Sequence, residues 1–210
     1  MRMSLPPDPV ACGQEHGAPP EAEPPVESLS PPPEERLIFR ARQVLIFGQI
    51  DERLARETCR RLLALAEASQ APITCFVSSP GGHVESGDAI HDIVRFISAP
   101  VTMVGTGWVA SAATHIYLAV PRERRLCLPN TRFMIHQPAG GIGGRASDIA
   151  IQAEQALRIR DRIAKVIARQ TGQSLDRVLA DIDRDRWMQP DEAIAYGLVG
   201  RLITRRKDIE

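Results

Sequence analysis

Ser111 lies in Gly107-Trp108-Val109-Ala110-Ser111-Ala112-Ala113, after a strand-forming run and before a helical one. A serine at that junction is well placed for chemistry. The first turn of a helix leaves backbone N–H groups without partners and carries a partial positive charge. An oxyanion forming beside the hydroxyl would be stabilised there. The plainer role for the same residue is a helix N-cap. Ser79-Pro80-Gly81-Gly82 is a turn at the end of an expected strand, where α/β sheets place ligands. Its two glycines free the backbone to aim an N–H outward, which makes Gly82 a candidate oxyanion donor; an ordinary turn is the alternative.

A serine nucleophile needs a base that titrates near neutral pH, and histidine is the usual one. His136 ends the strand-like Met134-Ile135 and is the leading candidate, although a structural histidine could stand there too. His115 is the rival, one turn beyond Ser111 on the same expected helix, where its side chain would pack along the helix. The others fit less well: His16 lies in the N-terminal region, His83 follows the glycine turn, and His91 is expected on a helix surface. An acid must then hold the imidazole in the right tautomer. Asp181, Asp183 and Asp185 are all available in Asp181-Ile182-Asp183-Arg184-Asp185-Arg186-Trp187, and spacing alone does not choose among them or exclude a solvated charged surface.

Other chemistries have little to work with. The chain has only two lysines, Lys165 on a long expected helix and Lys207 near the C-terminus, so a Ser–Lys pair is not expected. Gly140-Gly141-Ile142-Gly143-Gly144 does not follow a strand and open a helix, and no Walker lysine accompanies it. Nucleotide binding is therefore not expected; a glycine strand that pairs with a peptide backbone is. Cys12, Cys59, Cys75 and Cys127 show neither CxxC nor zinc spacing, so they read as free thiols in a reducing compartment. No metal and no cofactor is implied.

These residues belong to a chain of 210 residues, 43% apolar and 25% charged, with 26 cationic and 26 acidic side chains. Zero net charge argues against a nucleic-acid partner. The charge is uneven. Residues 1–35 hold seven acids, one base (Arg2) and ten of the 17 prolines, with no aromatic residue. Such a segment cannot offset its ordering entropy, and a disordered or polyproline-like tail is expected there, before a folded domain at 36–210. It lacks the apolar stretch of a signal peptide. Phe96 to Pro121 carries no charged residue, but Pro100, Gly105, Gly107, Ser111 and Thr114 break it up. It reads as buried core and not as a membrane span, so a cytoplasmic protein is expected.

Apolar spacing predicts strands at Leu37–Phe39, Val44–Phe47, Ile73–Val77, Val101–Val104, Arg125–Leu128, Arg132–Ile135 and Leu198–Ile203. Helices are predicted from Asp51, over Ser86–Ile97, from Ser111, over Ser147–Gln170 and over Asp191–Tyr196. The alternation argues for an α/β fold of repeated βαβ units.

Taken in order, SPGG, GWVAS, MIHQP, DRDRW and DEAIAYGLV closely resemble the proteolytic subunit of the Clp protease, the ClpP family, over Leu37 to Thr204. That resemblance implies a ClpP/crotonase-like α/β fold with a protruding helix-and-strand handle, here Gly140 to Gln170. It implies a serine endopeptidase with Ser111 as nucleophile, His136 as general base and Asp185 as orienting acid. The backbone N–H groups of Gly82 and Ala112 would form the oxyanion hole. It further implies a homo-oligomer of two stacked seven-membered rings, with unfolded polypeptides delivered by an AAA+ unfoldase. A non-catalytic ring subunit working beside an active paralogue is the alternative. A crotonase-type acyl-CoA enzyme is a weaker one, because no acid pair suits hydration. Departures are Ser78 for the family's usual asparagine, Ala112-Ala113 for Met-Gly, and the Pro/Glu-rich N-terminus in place of the usual gating segment. Phe76 and Phe96 match aromatic positions of the family's docking clefts.

Overall fold

Pro33, Glu34 and Glu35 open the first element, a helix α1 (Pro33–Arg40). Proline at the first helical position, acids in the first turn and Arg40 in the last all match helix ends. This corrects the strand expected at Leu37–Phe39. The apolar triplet resembles a strand only if its charged flanks are ignored. The computed structural model describes residues 32–209 except Ile142. Most of the expected tail, residues 1–31, therefore lies outside the described residues, and α1 starts inside its last few positions.

The core is a largely parallel sheet. Strands β1 (Gln43–Phe47), β2 (Ile73–Ser79), β3 (Val101–Ala110), β4 (Arg125–Cys127) and β7 (Arg201–Leu202) lie side by side in that order. Parallel neighbours need crossovers, and helices α2 (Glu52–Ala68) and α3 (Val84–Phe96) supply the first two. Asp51 caps α2 by accepting from the Leu54 N–H at 2.7 Å, which answers one of the orphan donors of the first turn. Alternation along the strands sets the layers. Val44 and Ile46 of β1 and Ile73, Cys75 and Val77 of β2 face a buried layer, whereas Leu45 and Phe47 are exposed.

Strand β3 positions the site, and it is longer than expected. Gly105 and Gly107 do not end it. Gly105 stays within the strand through its pairing with Val77 and Cys127, and a Cβ there would come within 3.2 Å of the Phe133, Thr131 and Val109 side chains. Gly107, with φ of 58°, bends the strand so that its free edge changes partner. Met103–Gly105 pair with β4, and Trp108–Ala110 pair with β5 (Arg132–Ile135). A further strand, β6 (Arg186–Met188), runs antiparallel to β5. Helix α4 (Ala112–Tyr117) follows β3 after one residue and is buried along its whole length.

Helix α5 (Ala146–Thr171) is amphipathic as expected, but it buries only its C-terminal half, through Ala164, Ile167 and Thr171. Ile149, Ile151 and Leu157 are exposed. Gly172, at φ of 76°, ends it, and α6 (Leu175–Asp181) and α7 (Pro190–Tyr196) complete the chain's helices among the described residues. Among the described residues, Gly140, Gly141, Gly143 and Gly144 lie in no strand. A Cβ on Gly140, Gly141 or Gly143 would meet nothing within 4 Å, so close packing does not require glycine there. Among the described residues, no helix is long and apolar enough to cross a membrane.

Candidate active site

Ser111 is the single residue between β3 and α4, and its backbone has φ 56° and ψ −123°. A non-glycine residue in this region costs about 1–3 kcal/mol and persists only where its surroundings fix it. They do so here. The Ser111 N–H donates to the Met134 carbonyl at 3.0 Å, and the Thr114 hydroxyl donates to the Val109 and Met134 carbonyls at 2.8 and 2.9 Å. The turn is thus tied to β5 as well as to β3. Ser111 occupies the N-cap position of α4, yet its side chain makes no capping bond. Its hydroxyl is committed elsewhere.

That commitment is to His136. Because Ala110 pairs with Met134, the residue just past β5 comes beside the β3–α4 turn. Ser111 Oγ lies 2.7 Å from His136 Nε2. The β5–β6 register then supplies the acid. Ile135 is opposite Arg186 and Met134 opposite Trp187, so the next position outward sets His136 opposite Asp185. His136 Nδ1 is 3.0 Å from Asp185 Oδ1. A carboxylate only accepts, so Nδ1 carries the proton, Nε2 presents a lone pair, and the serine hydroxyl donates to it. The hydroxyl is thereby set for deprotonation as it attacks a carbonyl.

The other acids of the segment are occupied. Asp181 accepts from Arg186 and from the Tyr196 hydroxyl, and Asp183 faces the Gln137 amide. Their side chains follow from the pairing of a three-residue strand, β6, which charge pattern alone did not reveal.

Gly81 packs against Ser111, and Gly82 against Ile50, just before α2. The φ values of the two glycines are 96° and 151°. A Cβ on Gly81 would stand 2.5 Å from Ser111 Cβ and 2.8 Å from the Ala110 carbonyl; one on Gly82 would stand 2.2 Å from the Ile50 carbonyl. The Ile50 N–H bonds to the Gly81 carbonyl and the His83 N–H to the Ile50 carbonyl, so the Gly82 N–H turns away from that bridge. Among the described residues it meets no backbone acceptor, and neither does the Ala112 N–H at the head of α4. Both lie next to residues that touch Ser111 Oγ or carry it. Gly81→Ala is expected to reduce any Ser111-dependent activity at least 100-fold, since misplacing a reacting group by about 1 Å costs that much. Peptide hydrolysis by the purified variant, with its native mass checked, measures this.

Two grooves meet at Ser111 and His136. One is apolar, walled by Val84, Ala112, Thr114, His115, Ile135, Pro138, Ile163 and Ile167. The other runs past Gln49, Pro80, Gly81, Gly82 and Ala139.

His115 does not reach the serine as a base. Its Nε2 is 3.0 Å from Asp88 Oδ1, and its ring stacks on His91 at a 4.2 Å centroid distance. His91 itself is buried, not on a helix surface as expected, and its Nδ1 donates to the His115 carbonyl at 2.9 Å. Burial pushes His91 down to about 4, and the adjacent His115 ring adds to the effect. Burial alone would raise the Asp88 carboxyl, but hydrogen bonds from His115 and Arg162 outweigh it and hold it well below the usual range. His83 sits by Ser86 and Glu85, away from the serine–histidine pair, and His16 lies outside the described residues.

The His91 shift has a pH signature. Unfolded, it titrates near 6.5; folded, near 4. Between those values the unfolded chain holds the extra proton, so stability is complete above about 6.5 and falls as pH drops toward 4, by about 3 kcal/mol. Urea midpoints of the wild type and His91→Leu at pH 7 and 4.5 check it: the wild type should lose more over that interval.

Among the described residues, no group of three or more His, Cys, Asp or Glu side chains is placed to hold a metal ion. Cys59, Cys75 and Cys127 are free thiols, and burial pushes Cys75 up to about 12 and Cys127 up to about 11, which leaves them inert at neutral pH.

The chain is similar to known proteins over most of its length. Residues 34–206 match the family model described as Clp protease. The chain is 54% identical over 172 residues to ATP-dependent Clp protease proteolytic subunit 3 of Rhizobium etli, covering 82% of this chain and 89% of that protein. It is 55% identical over 168 residues to proteolytic subunit 2 of Gluconobacter oxydans, covering 79% and 75%. The solved structure of ClpP1 from Listeria monocytogenes superposes with a TM-score of 0.77 at 45% identity, covering 84% of this chain and 99% of that one.

Proposed function

The chain belongs to the Clp protease family, and from that membership we propose that it is the serine-type proteolytic subunit of an assembly that hydrolyses peptide bonds in unfolded polypeptides. The observation that carries the serine chemistry is the continuous Ser111–His136–Asp185 hydrogen-bond chain at 2.7 and 3.0 Å.

Mechanism follows from the tautomer. The peptide carbonyl sits against Ser111, with its oxygen between the N–H groups of Gly82 and Ala112. As Oγ attacks the carbon, His136 Nε2 takes the hydroxyl proton, and Asp185 stabilises the imidazolium through Nδ1–H. The two amides stabilise the oxyanion, each removal of such a donor costing about 3–4 kcal/mol of barrier. The imidazolium then gives its proton to the leaving amine, the C–N bond breaks, and an acyl-serine remains. Water, deprotonated by the same imidazole, releases the acid and restores Ser111.

Assembly is supported by surface apolar residues without cover. Ile149, Ile151 and Leu157 lie open on the N-terminal half of α5, and Leu45, Phe47, Trp108 and Trp187 are exposed elsewhere. Such surface on a subunit fits contacts between copies, here the stacked rings of seven that the family resemblance implies. Phe96, 78% exposed at the end of α3, fits a docking position for an ATP-dependent unfoldase.

The test is direct. Purified full-length chain is treated with a fluorophosphonate probe and assayed with a fluorogenic peptide, and its native mass is recorded. Labelling of Ser111, cleavage without an added paralogue, and a ring-sized mass are expected. A ring-sized protein that neither labels nor cleaves would overturn the serine peptidase reading.

A further inference from the structure

The apolar groove beside Ser111 is built by residues from three helices. Val84 comes from α3; Ala112, Thr114 and His115 come from α4; Ile163 and Ile167 come from α5. Packing alone fixes such walls loosely, because apolar contacts have no direction. Polar contacts do, and one carboxylate joins all three helices. Asp88 of α3 accepts from both arms of the Arg162 guanidinium on α5, at 2.7 and 2.6 Å. The same carboxylate accepts from His115 Nε2 on α4 at 3.0 Å. Arg162 and Ile163 are sequence neighbours, so the guanidinium fork sets how far α5, and with it the Ile163 wall, stands from α3. The parallel two-bond geometry gives this link a fixed length and angle.

His115 makes the link consequential for the groove. Its side chain is 6% exposed, and its Nδ1 is buried without a hydrogen-bond partner among the described residues. The ring is held as a groove wall by its Nε2 bond to Asp88 and by its stack on His91. Without an acceptor at Asp88, both ring nitrogens would be buried unsatisfied, and the ring would turn to relieve that cost.

We propose that Asp88, with Arg162 and His115, sets the shape of the groove that receives the substrate side chain on the acyl side of the cut bond. Asp88 is a positioning residue and a determinant of specificity, touching no reacting atom. The inference rests on the serine peptidase reading above. The side chains it governs are large apolar ones, which must fill the groove between Ile163, Ile167, Val84 and His115. A small side chain such as alanine never reaches those walls.

The experiment compares wild type with Asp88→Asn, Arg162→Ala and Arg162→Lys. Arg162 is half-exposed, so its replacements spare the fold, and native mass confirms assembly. Each protein is assayed with peptides differing only in leucine, phenylalanine or alanine at the cut position, and with a small fluorophosphonate. Asp88→Asn and Arg162→Ala are expected to lower kcat/KM for the leucine and phenylalanine peptides about tenfold, the size of effect that misfit in an apolar pocket has. The alanine peptide and the fluorophosphonate labelling rate should change less than about twofold, because neither fills the groove. Arg162→Lys should fall between. An unchanged profile, or equal losses with all peptides and with the probe, overturns the proposal. A wild type that neither labels nor cleaves overturns the peptidase reading, and this inference with it.

Discussion

Ser111→Ala is expected to abolish peptide hydrolysis, with kcat lowered on the order of 10⁴- to 10⁶-fold. The nucleophile has no understudy. Ala112 and Ala113 offer no hydroxyl, and Thr114 spends its own on the Val109 and Met134 carbonyls. The residual rate would come from groove binding and the two amides alone. The fold should survive, because the bonds that hold this turn run through the Ser111 N–H and the Thr114 side chain and not through Oγ. Single-turnover assays with a fluorogenic peptide, alongside native mass, separate the two effects. Cleavage persisting near the wild-type rate would remove Ser111 from the mechanism.

Asp185→Asn should cost almost as much by a different route, about 10⁴-fold in kcat. The substitution changes one atom and hardly any volume. An amide can turn its NH₂ toward His136 Nδ1, which then accepts, and the proton moves to Nε2. The imidazole would face Ser111 with a hydrogen where a lone pair is needed. The Asp185 side chain is 60% exposed, so the variant leaves no buried group stranded and stability should be unchanged. The readout is the pH profile. If the tautomer is the cause, raising the pH lets hydroxide take the Ser111 proton in place of the imidazole and recovers part of the loss. A variant whose activity stays within tenfold of wild type would mean that Asp185 does not orient the histidine.

Much of this site is visible in the sequence, for a physical reason. A nucleophile needs a strand–turn–helix junction, and the junction has local signals: strand formers, small residues, then helix formers. Ser111, Gly82 and Ala112 were identifiable from those signals together with the family resemblance, and His136 from its place at a strand end. Choosing Asp185 over Asp181 and Asp183 from the residues themselves required the β5–β6 register, which is non-local and rests on three paired residues per strand. The His91–His115 stack was hidden for a similar reason. His91 lies on the α3 face that α4 covers, and nothing within α3 announces that a second helix will arrive. Glycines misled at β3. Gly105 and Gly107 read as a break in the run, yet the strand continues through both, and a Cβ on Gly105 would crowd Phe133, Thr131 and Val109. At the N-terminus, Pro33, Glu34 and Glu35 carried a legible helix start that the adjoining Leu37-Ile38-Phe39 triplet overshadowed.

The order of the strands along the chain bears on how the protein is made. Ser111 and His136 are translated before the 26-residue helix α5, whereas Asp185 and β6 follow it. At a synthesis rate of about 5–20 residues per second, several seconds separate the base from the group that orients it. Until then the hydroxyl and the imidazole lack the acid that fixes the tautomer. The Ser111–His136–Asp185 chain can therefore close only after α5 and β6 have been translated.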